Sequence, residues 1–162
     1  MSGDIFLDIE GIEGESKKKD FEKKIEVDSF SWGESNPTSF AFGAGGGVGK
    51  VQMQDVSFTK PIDKASPKLY QACANGDHIN KATFTFRKAG KEAQKYLTVE
   101  LTEIMISSIA LSDSSNSELP HESVSIAYGK IVFGYKPQKD DGTLDANMPF
   151  GWNIKEHKAE QT

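Results

Sequence analysis

The stretch Lys81-Ala82-Thr83-Phe84-Thr85-Phe86-Arg87-Lys88 alternates between apolar and polar side chains. Its alanine and two phenylalanines fall on one side of an extended chain, and the intervening threonines and arginine fall on the other. Successive side chains of a β-strand point to opposite faces, so this period of two predicts a strand with one buried and one wet face. The stretch therefore favours a fold built mainly from strands.

Six further segments carry a similar pattern of β-branched and aromatic residues between turn-forming clusters. The seven predicted strands cover residues 5–9, 25–34, 50–59, 81–88, 96–108, 123–135 and 150–155. Two long strands change apolar phase, one beyond Glu103 and the other across Gly129, and an internal glycine is a common place for a bulge or a barrel corner. The sequence predicts a closed or nearly closed antiparallel β-barrel. The alternative cause of the phase change is a second face buried against another subunit.

One short α-helix is predicted among the strands. Ser66 can cap it, Pro67 suits the first helical position, and Gly76 stops it. Leu69 and Cys73 lie four residues apart and are expected to face inward. Two long loops, 11–24 and 36–49, connect the first strands, and residues 111–122 are interpreted as a solvated connector.

The composition excludes several classes of function. The 162 residues fit one domain, 1–162, and 19 Lys plus Arg against 24 Asp plus Glu leave a net charge of -5. Nucleic acid and anionic membranes are therefore not expected as partners. One cysteine and three scattered histidines exclude a disulfide within the chain and a structural zinc site, so no metal and no cofactor are expected.

No targeting signal is expected either. The first residues include acids where a signal peptide needs an apolar stretch, which predicts synthesis in the cytoplasm. No segment approaches the roughly 18 apolar residues of a membrane helix, so membrane insertion is not expected.

A glycine-rich segment, 43–50, invites comparison with phosphate-binding loops. It has Ala44 where such a loop needs glycine and Val51 where it needs Ser or Thr, and a strand rather than a helix follows. The segment is interpreted as a flexible hairpin arm, and its candidate assembly residues are Gly43, Gly45, Gly46, Gly47 and Gly49. No serine lies in a nucleophile elbow, so the protein is predicted not to be an enzyme.

Several stretches together resemble the haemolysin-coregulated protein family of type VI secretion systems, over residues 5 to about 155. They are Gly14-Glu15-Ser16, Ser31-Trp32-Gly33, Gly49-Lys50-Val51, Asp55-Val56-Ser57-Phe58-Thr59-Lys60, Ile62-Asp63-Lys64-Ala65-Ser66-Pro67, Arg87-Lys88-Ala89-Gly90, Tyr135-Lys136-Pro137-Gln138 and Gly151-Trp152-Asn153-Ile154.

This resemblance implies a barrel subunit that assembles into hexameric rings, which stack into the inner tube of a contractile injection machine. It further implies export on firing without a cleaved signal peptide, to the extracellular space or a target cell. The implied partners are further copies of the chain, the spike protein at the tube tip, the contractile sheath and effector proteins carried in the lumen. Residues 156–162 are expected to be a flexible tail, with no fused effector domain. The alternatives are a phage-type tail-tube protein and a monomeric ligand-binding β-barrel.

The channel surface is predicted from the strand around Trp32. Phe30 and Trp32 point to one face, expected to be the core, and Ser29 and Ser31 point to the other. In a ring with a strand-lined channel, this serine face is a candidate cargo surface. The register slips near Asp28, where a bulge could reverse the assignment.

Overall fold

The computed structural model describes residues 3–39, 47–90 and 93–160. In this part of the chain it contains thirteen strands and one helix. The elements are β1 Asp4–Ile9, β2 Ile25–Val27, β3 Ser29–Ser31, β4 Glu34–Ser35, β5 Thr38–Ser39, β6 Gly47–Val48, β7 Gln52–Met53, β8 Val56–Pro61, α1 Ser66–Asn75, β9 Ile79–Arg87, β10 Lys95–Ser112, β11 His121–Tyr135, β12 Met148–Asn153 and β13 Lys158–Ala159.

One antiparallel sheet curls almost into a barrel. Its strand order is β13-β12-β11-β10-β9-β1-β2, while β8 pairs with both β11 and β3. Strands β2 and β3 belong to one continuous segment, 25–31, which therefore joins the β1 edge of the sheet to the β8 edge. Between them the backbone N–H of Asp28 donates to the carbonyl of Thr59 at 2.8 Å. The prediction of a mainly β, nearly closed antiparallel barrel with one short helix is confirmed.

Several predicted boundaries are corrected. The predicted strand 25–34 is divided into β2, β3 and β4, and 50–59 into β7 and β8. The predicted connector 111–122 is shorter than expected, because β10 and β11 pair as far as Ser112 and His121 and only residues 113–120 form the connecting loop. In the predicted tail 156–162, the described residues 156–160 fold back instead, and Lys158 and Ala159 pair with β12.

The long hairpin of β10 and β11 turns its buried face over halfway along. Glu103 in β10 has a positive φ of 57° and lies beside Gly129 of β11, where an added Cβ would meet the Glu103 Cβ at 3.3 Å. The pairing register is the same on both sides of this point, so the two strands change face together. The register shift itself lies further along, between Ile106 and Ser108. The predicted bend at Gly129 is present, without a bulge at that residue.

Large apolar side chains fill the barrel. Leu7, Phe84, Leu101 and Ile126 are fully buried in one contiguous cluster. Phe30 adds to it by edge-on contact with Phe84, the two ring centroids lying 4.9 Å apart. Close packing of this kind is the main source of stability in a chain without cross-links.

Helix α1 packs against β10 of the barrel. Its first residue is Ser66 and its N-cap is Ala65, which has no side-chain hydrogen bond, so the prediction that Ser66 caps the helix is wrong. Gly76 ends the helix in the left-handed conformation, as predicted. Leu69 is fully buried, while Cys73 is half-buried at the edge of the core.

The long loop 11–24 packs against the outside of the barrel. Phe6 points away from the core and stacks on Phe21 of the loop, with ring centroids 4.3 Å apart. The guanidinium of Arg87 lies 5.0 Å from the Phe6 ring centre, and the ammonium of Lys95 lies 4.9 Å from that of Phe21. Aromatic stacking and cation–π attraction thus fix this loop on the β1–β9 surface.

A buried ion pair lies where α1 meets the barrel. Lys60 and Glu122 face each other across β8 and β11, and both are almost completely buried. The Lys60 ammonium lies 2.7 Å from Glu122 Oε1 and 2.9 Å from Asp63 Oδ1. The Ser66 hydroxyl donates to Glu122 Oε1 at 2.6 Å, which ties the first turn of the helix to the pair.

Protonation of Glu122 is opposed by these contacts. Burial alone would raise its pKa, but the hydrogen bonds from Lys60 and Ser66 hold the pKa below the ordinary value of 4.5. Burial and the Glu122 carboxylate raise the pKa of the Tyr70 hydroxyl. The carboxylate is therefore ionised in the folded protein at neutral pH.

We expect Glu122→Gln to lower the free energy of unfolding by about 3 kcal/mol near pH 7, because it leaves a buried lysine without its main partner. In the parent the folded pKa of Glu122 is depressed, so its contribution is complete above pH 4.5 and is lost as the pH falls below that value. Urea unfolding at neutral and acid pH measures both effects, and the variant should lose less stability on acidification.

The triple variant Lys60→Met, Asp63→Asn and Glu122→Leu is the control. Removing all three charges, and filling the space of the ion pair with apolar groups, should recover most of the lost stability. A Glu122→Gln variant within about 0.5 kcal/mol of the parent would contradict a structural role for the pair.

Candidate functional site

Four strand segments form a surface lined by hydroxyl groups, which we name the serine sheet: β3, β8, residues 121–126 of β11 and residues 105–112 of β10. Their registers align hydroxyl side chains in two rows on the outward face. The rows are Ser29, Thr59 and Ser123, and Ser31, Ser57, Ser125 and Ser108.

One hydroxyl–hydroxyl hydrogen bond lies in each row. The hydroxyl oxygens of Ser29 and Thr59 lie 2.5 Å apart, and those of Ser57 and Ser125 lie 3.1 Å apart. Ser29 is exposed, so the first row is open to solvent at its β3 end. A hydroxyl both donates and accepts and carries no charge, so these rows offer weak polar contacts to many surfaces.

The predicted orientation of β3 is correct. Ser29 and Ser31 point outward and are exposed, while Phe30 packs edge-on to Phe84 in the core. The phase does change at Asp28, because Val27 still faces inward, but the change does not reverse the serine face. The other members of the rows were not predicted from the sequence. Within each strand they alternate with buried residues, but that pattern does not show which of them lie side by side. Their alignment depends on register, which no local pattern gives.

Both lateral edges of the serine sheet are open in the described part of the chain. Strand β9 pairs with β10 only as far as Ile104, so residues 105–112 have β11 on one side and no strand on the other. Within the same residues β3 pairs with β8 alone. Each edge presents backbone N–H and C=O groups that can extend the sheet.

The glycine-rich arm has a short β-ribbon at its base, and we use the term arm for residues 34–53. Strand β4 pairs with β7, and β5 pairs with β6. Of the glycines predicted to act in assembly, Gly43, Gly45 and Gly46 lie outside the described residues, and Gly47 belongs to β6. Gly49 lies against Pro37, where an added Cβ would be 2.5 Å from the proline carbonyl oxygen. The two segments of the ribbon can therefore approach this closely only with glycine at position 49.

Two features of the described residues bear on other functions. In ranges 3–39, 47–90 and 93–160, no three His, Cys, Asp or Glu side chains are grouped as a metal site would need. The helix found in these ranges is too short and too polar to cross a bilayer.

Comparison with known proteins places this fold in a family. The family model described as "Type VI secretion system effector, Hcp" matches residues 6–135. The chain belongs to the Hcp family. The resemblance predicted from the sequence is confirmed, and membership makes the protein a type VI secretion tube protein of a family that is structural and secreted.

Individual Hcp relatives cover almost the whole chain. "Protein hcp1" of Pseudomonas aeruginosa is 42% identical over 159 residues, which are 97% of this chain and 98% of that protein. A solved "type six secretion system protein" superimposes with a TM-score of 0.93 at 26% identity, covering 98% of this chain and all of that one. Hcp1 from Salmonella typhimurium gives a TM-score of 0.81 at 28% identity, with 99% and 100% coverage.

We expect Gly49→Ala to open the ribbon at the base of the arm without unfolding the barrel. The added methyl group would overlap the Pro37 carbonyl, whose backbone must then move. Amide hydrogen exchange should accelerate in residues 34–39 and 47–53, while the free energy of unfolding changes by less than about 0.5 kcal/mol.

The matched control is Gly33→Ala. There the added Cβ would meet only the end of the Gln54 side chain, at 3.3 Å, and that side chain can move away. Equal exchange in the two variants would show that the contact between Gly49 and Pro37 does not hold the ribbon.

Proposed function

We propose that this Hcp protein forms closed hexameric rings that stack into the inner tube of a type VI secretion machine. The serine sheet lines the channel and contacts effector proteins carried there. The arm contacts a neighbouring copy, the spike protein caps the tube, and the contractile sheath surrounds it until firing exports the tube. The number six and the spike, sheath and effector partners come from the family.

The observation that carries the proposal is the pair of open edges on the serine sheet. The four segments alternate in direction, so the free edge of β10 in one copy and β3 in the next run antiparallel when the sheets lie side by side. Such a contact joins two different patches, and a heterologous contact that closes on itself produces a ring. The hydroxyl rows of successive copies then form one continuous inner wall.

The chemistry of the inner wall suits transport. Along β8 and β11 the hydroxyl rows keep large apolar groups off the channel surface, because Phe58 and Val124 alternate with them and point into the barrel core. Cargo that must enter and leave needs contacts that are individually weak. Uncharged hydroxyl groups meet that requirement better than ion pairs or apolar patches.

The packed interior argues against a monomeric ligand-binding barrel. Phe84, Leu101 and Ile126 fill the space that such a barrel keeps for its ligand. A phage-type tail tube would use the same edges and the same polar wall, and the family match favours secretion over that alternative.

The purified protein should be a closed homo-oligomer with a mass six times the 17.8 kDa of one chain. Native mass spectrometry at micromolar concentration measures this. A parent that is wholly monomeric under these conditions would refute the tube proposal.

Deletion of Gly43 to Gly47 should leave the barrel folded, since loops of this type contribute little core, but should weaken the ring or its stacking. Native mass spectrometry of the deletion variant beside the parent measures the effect on the ring.

Replacing Ser31 with Glu tests the channel wall. The side chain is exposed, so folding should change by only about 0.5 kcal/mol and the ring should persist. Six added negative charges on the wall should alter effector retention, measured by co-purification with the ring and by export into culture supernatant.

The control is Ser115→Glu, which makes the same substitution in the exposed loop between β10 and β11. It should leave effector retention as in the parent. Unaltered retention in an intact Ser31→Glu ring would remove Ser31 from the cargo surface, and loss of the ring itself would place Ser31 at an interface between copies.

A further inference from the structure

The arm joins the barrel through two chain segments that meet at one point. The chain leaves through Trp32 and Gly33 and returns through Gln54. The backbone N–H of Gln54 donates to the carbonyl of Gly33 at 3.0 Å, and the first ladder pair follows at Glu34 and Met53. These bonds hold the two segments to each other. They do not fix the arm relative to the barrel, and Gly33 has no side chain to restrain rotation there.

A single hydroxyl group connects both segments to the barrel wall. Tyr128 of β11 accepts a hydrogen bond from Trp32 Nε1 at 2.5 Å and donates one to the backbone carbonyl of Gln54 at 2.7 Å. Tyr128 is only 8% exposed, and burial raises the pKa of its hydroxyl to about 12. The group therefore keeps its proton, and its role as donor to Gln54, at any physiological pH.

The Trp32 side of this bridge is itself anchored. Its indole ring lies edge-on to Phe133, with centroids 6.2 Å apart, and tilted against Phe150 at 6.3 Å. The returning segment has a second attachment, because the Ser107 hydroxyl donates to the Asp55 carboxylate at 2.7 Å, but that bond is exposed to water. The two bonds of the Tyr128 hydroxyl are partly buried, so water competes for them less than for the exposed Ser107 bond, and the Tyr128 bridge dominates.

We propose that Tyr128 is a positioning residue, whose hydroxyl fixes the direction in which the arm leaves the barrel and thereby pre-organises the contact of the arm with a neighbouring copy. This inference rests on the proposed function, in which the arm acts in assembly. A fixed arm loses less conformational freedom on association than a pivoting one, so assembly is favoured without any new contact. The competing explanation is that the hydroxyl merely accepts the hydrogen bond of the partly buried indole N–H.

Tyr128→Phe removes both hydrogen bonds and keeps the aromatic ring. The arm direction is measured by pulsed electron paramagnetic resonance, with spin labels on Lys50→Cys in the arm and Lys68→Cys on α1, in a Cys73→Ala background. Labelled chains are mixed with a large excess of unlabelled chains, so that only distances within one copy contribute. We expect a broader distance distribution, about tenfold faster amide exchange at residues 52–54, and a smaller ring fraction in native mass spectrometry.

Two further variants make the result specific. Tyr96→Phe removes a hydroxyl with no hydrogen bond among the described residues, and it should match the parent in all three measurements. Trp32→Phe removes the donor but keeps the bond from Tyr128 to Gln54, so it should broaden the distribution less than Tyr128→Phe does. It also serves as the test if Tyr128→Phe fails to fold.

The outcomes separate this inference from the proposed function. If the distance distribution of Tyr128→Phe is as narrow as that of the parent, the positioning role is overturned. The hydroxyl then serves only to accept the hydrogen bond of the indole N–H. A broadened distribution with an unchanged ring fraction overturns the link to assembly. If the parent itself forms no rings, the proposed function fails, and the distance distribution still decides whether Tyr128 fixes the arm.

Discussion

The structure depends on one strand, β11, that pairs with three others. Its lower half, residues 130–135, pairs with β12 and its upper half, residues 121–126, with β8, while β10 pairs with it along the whole length. Between the two halves the buried face of β11 turns over, at Gly129 beside the left-handed Glu103, and β10 turns with it. The turn brings the upper half toward β8 and β3, which nearly closes the barrel and leaves the serine sheet with its own outward face.

The same alternation that faces hydroxyls outward forces a charge inward. Along β8, Ser57 and Thr59 point out, so Phe58 and Lys60 must point in, and Lys60 arrives at the end of the barrel beneath α1. A buried ammonium group is tolerable only with a partner. Glu122 supplies it from the paired position on β11, where the same period places Ser123 outward. The polar wall and the buried ion pair are thus two consequences of one strand register.

Much of this fold could be predicted because period two is a local signal. The strands at 81–88 and 123–135, the helix and the orientation of Ser31 all follow from neighbouring residues. The hydroxyl rows could not be predicted, because they join residues about thirty to seventy positions apart whose alignment is set by pairing. The burial of Lys60 and Glu122 could not be predicted either, because a charged residue in a strand is usually assigned to the solvent-facing side. The break between β2 and β3 at Asp28 could not be predicted, because it arises where the segment 25–31 changes its pairing partner from β1 to β8.

The arm is stabilised in a different way from the barrel. Its ladders are two residues long, and a ribbon of that size is not stable by itself in water, so its shape must come from what holds its two ends. At the inner end that support is the contact of Trp32 with Tyr128 and Phe133 of β11, the strand that also carries Ser125 and Glu122. One strand therefore links the channel wall, the buried charge and the base of the arm, and a shift in its register would disturb all three together.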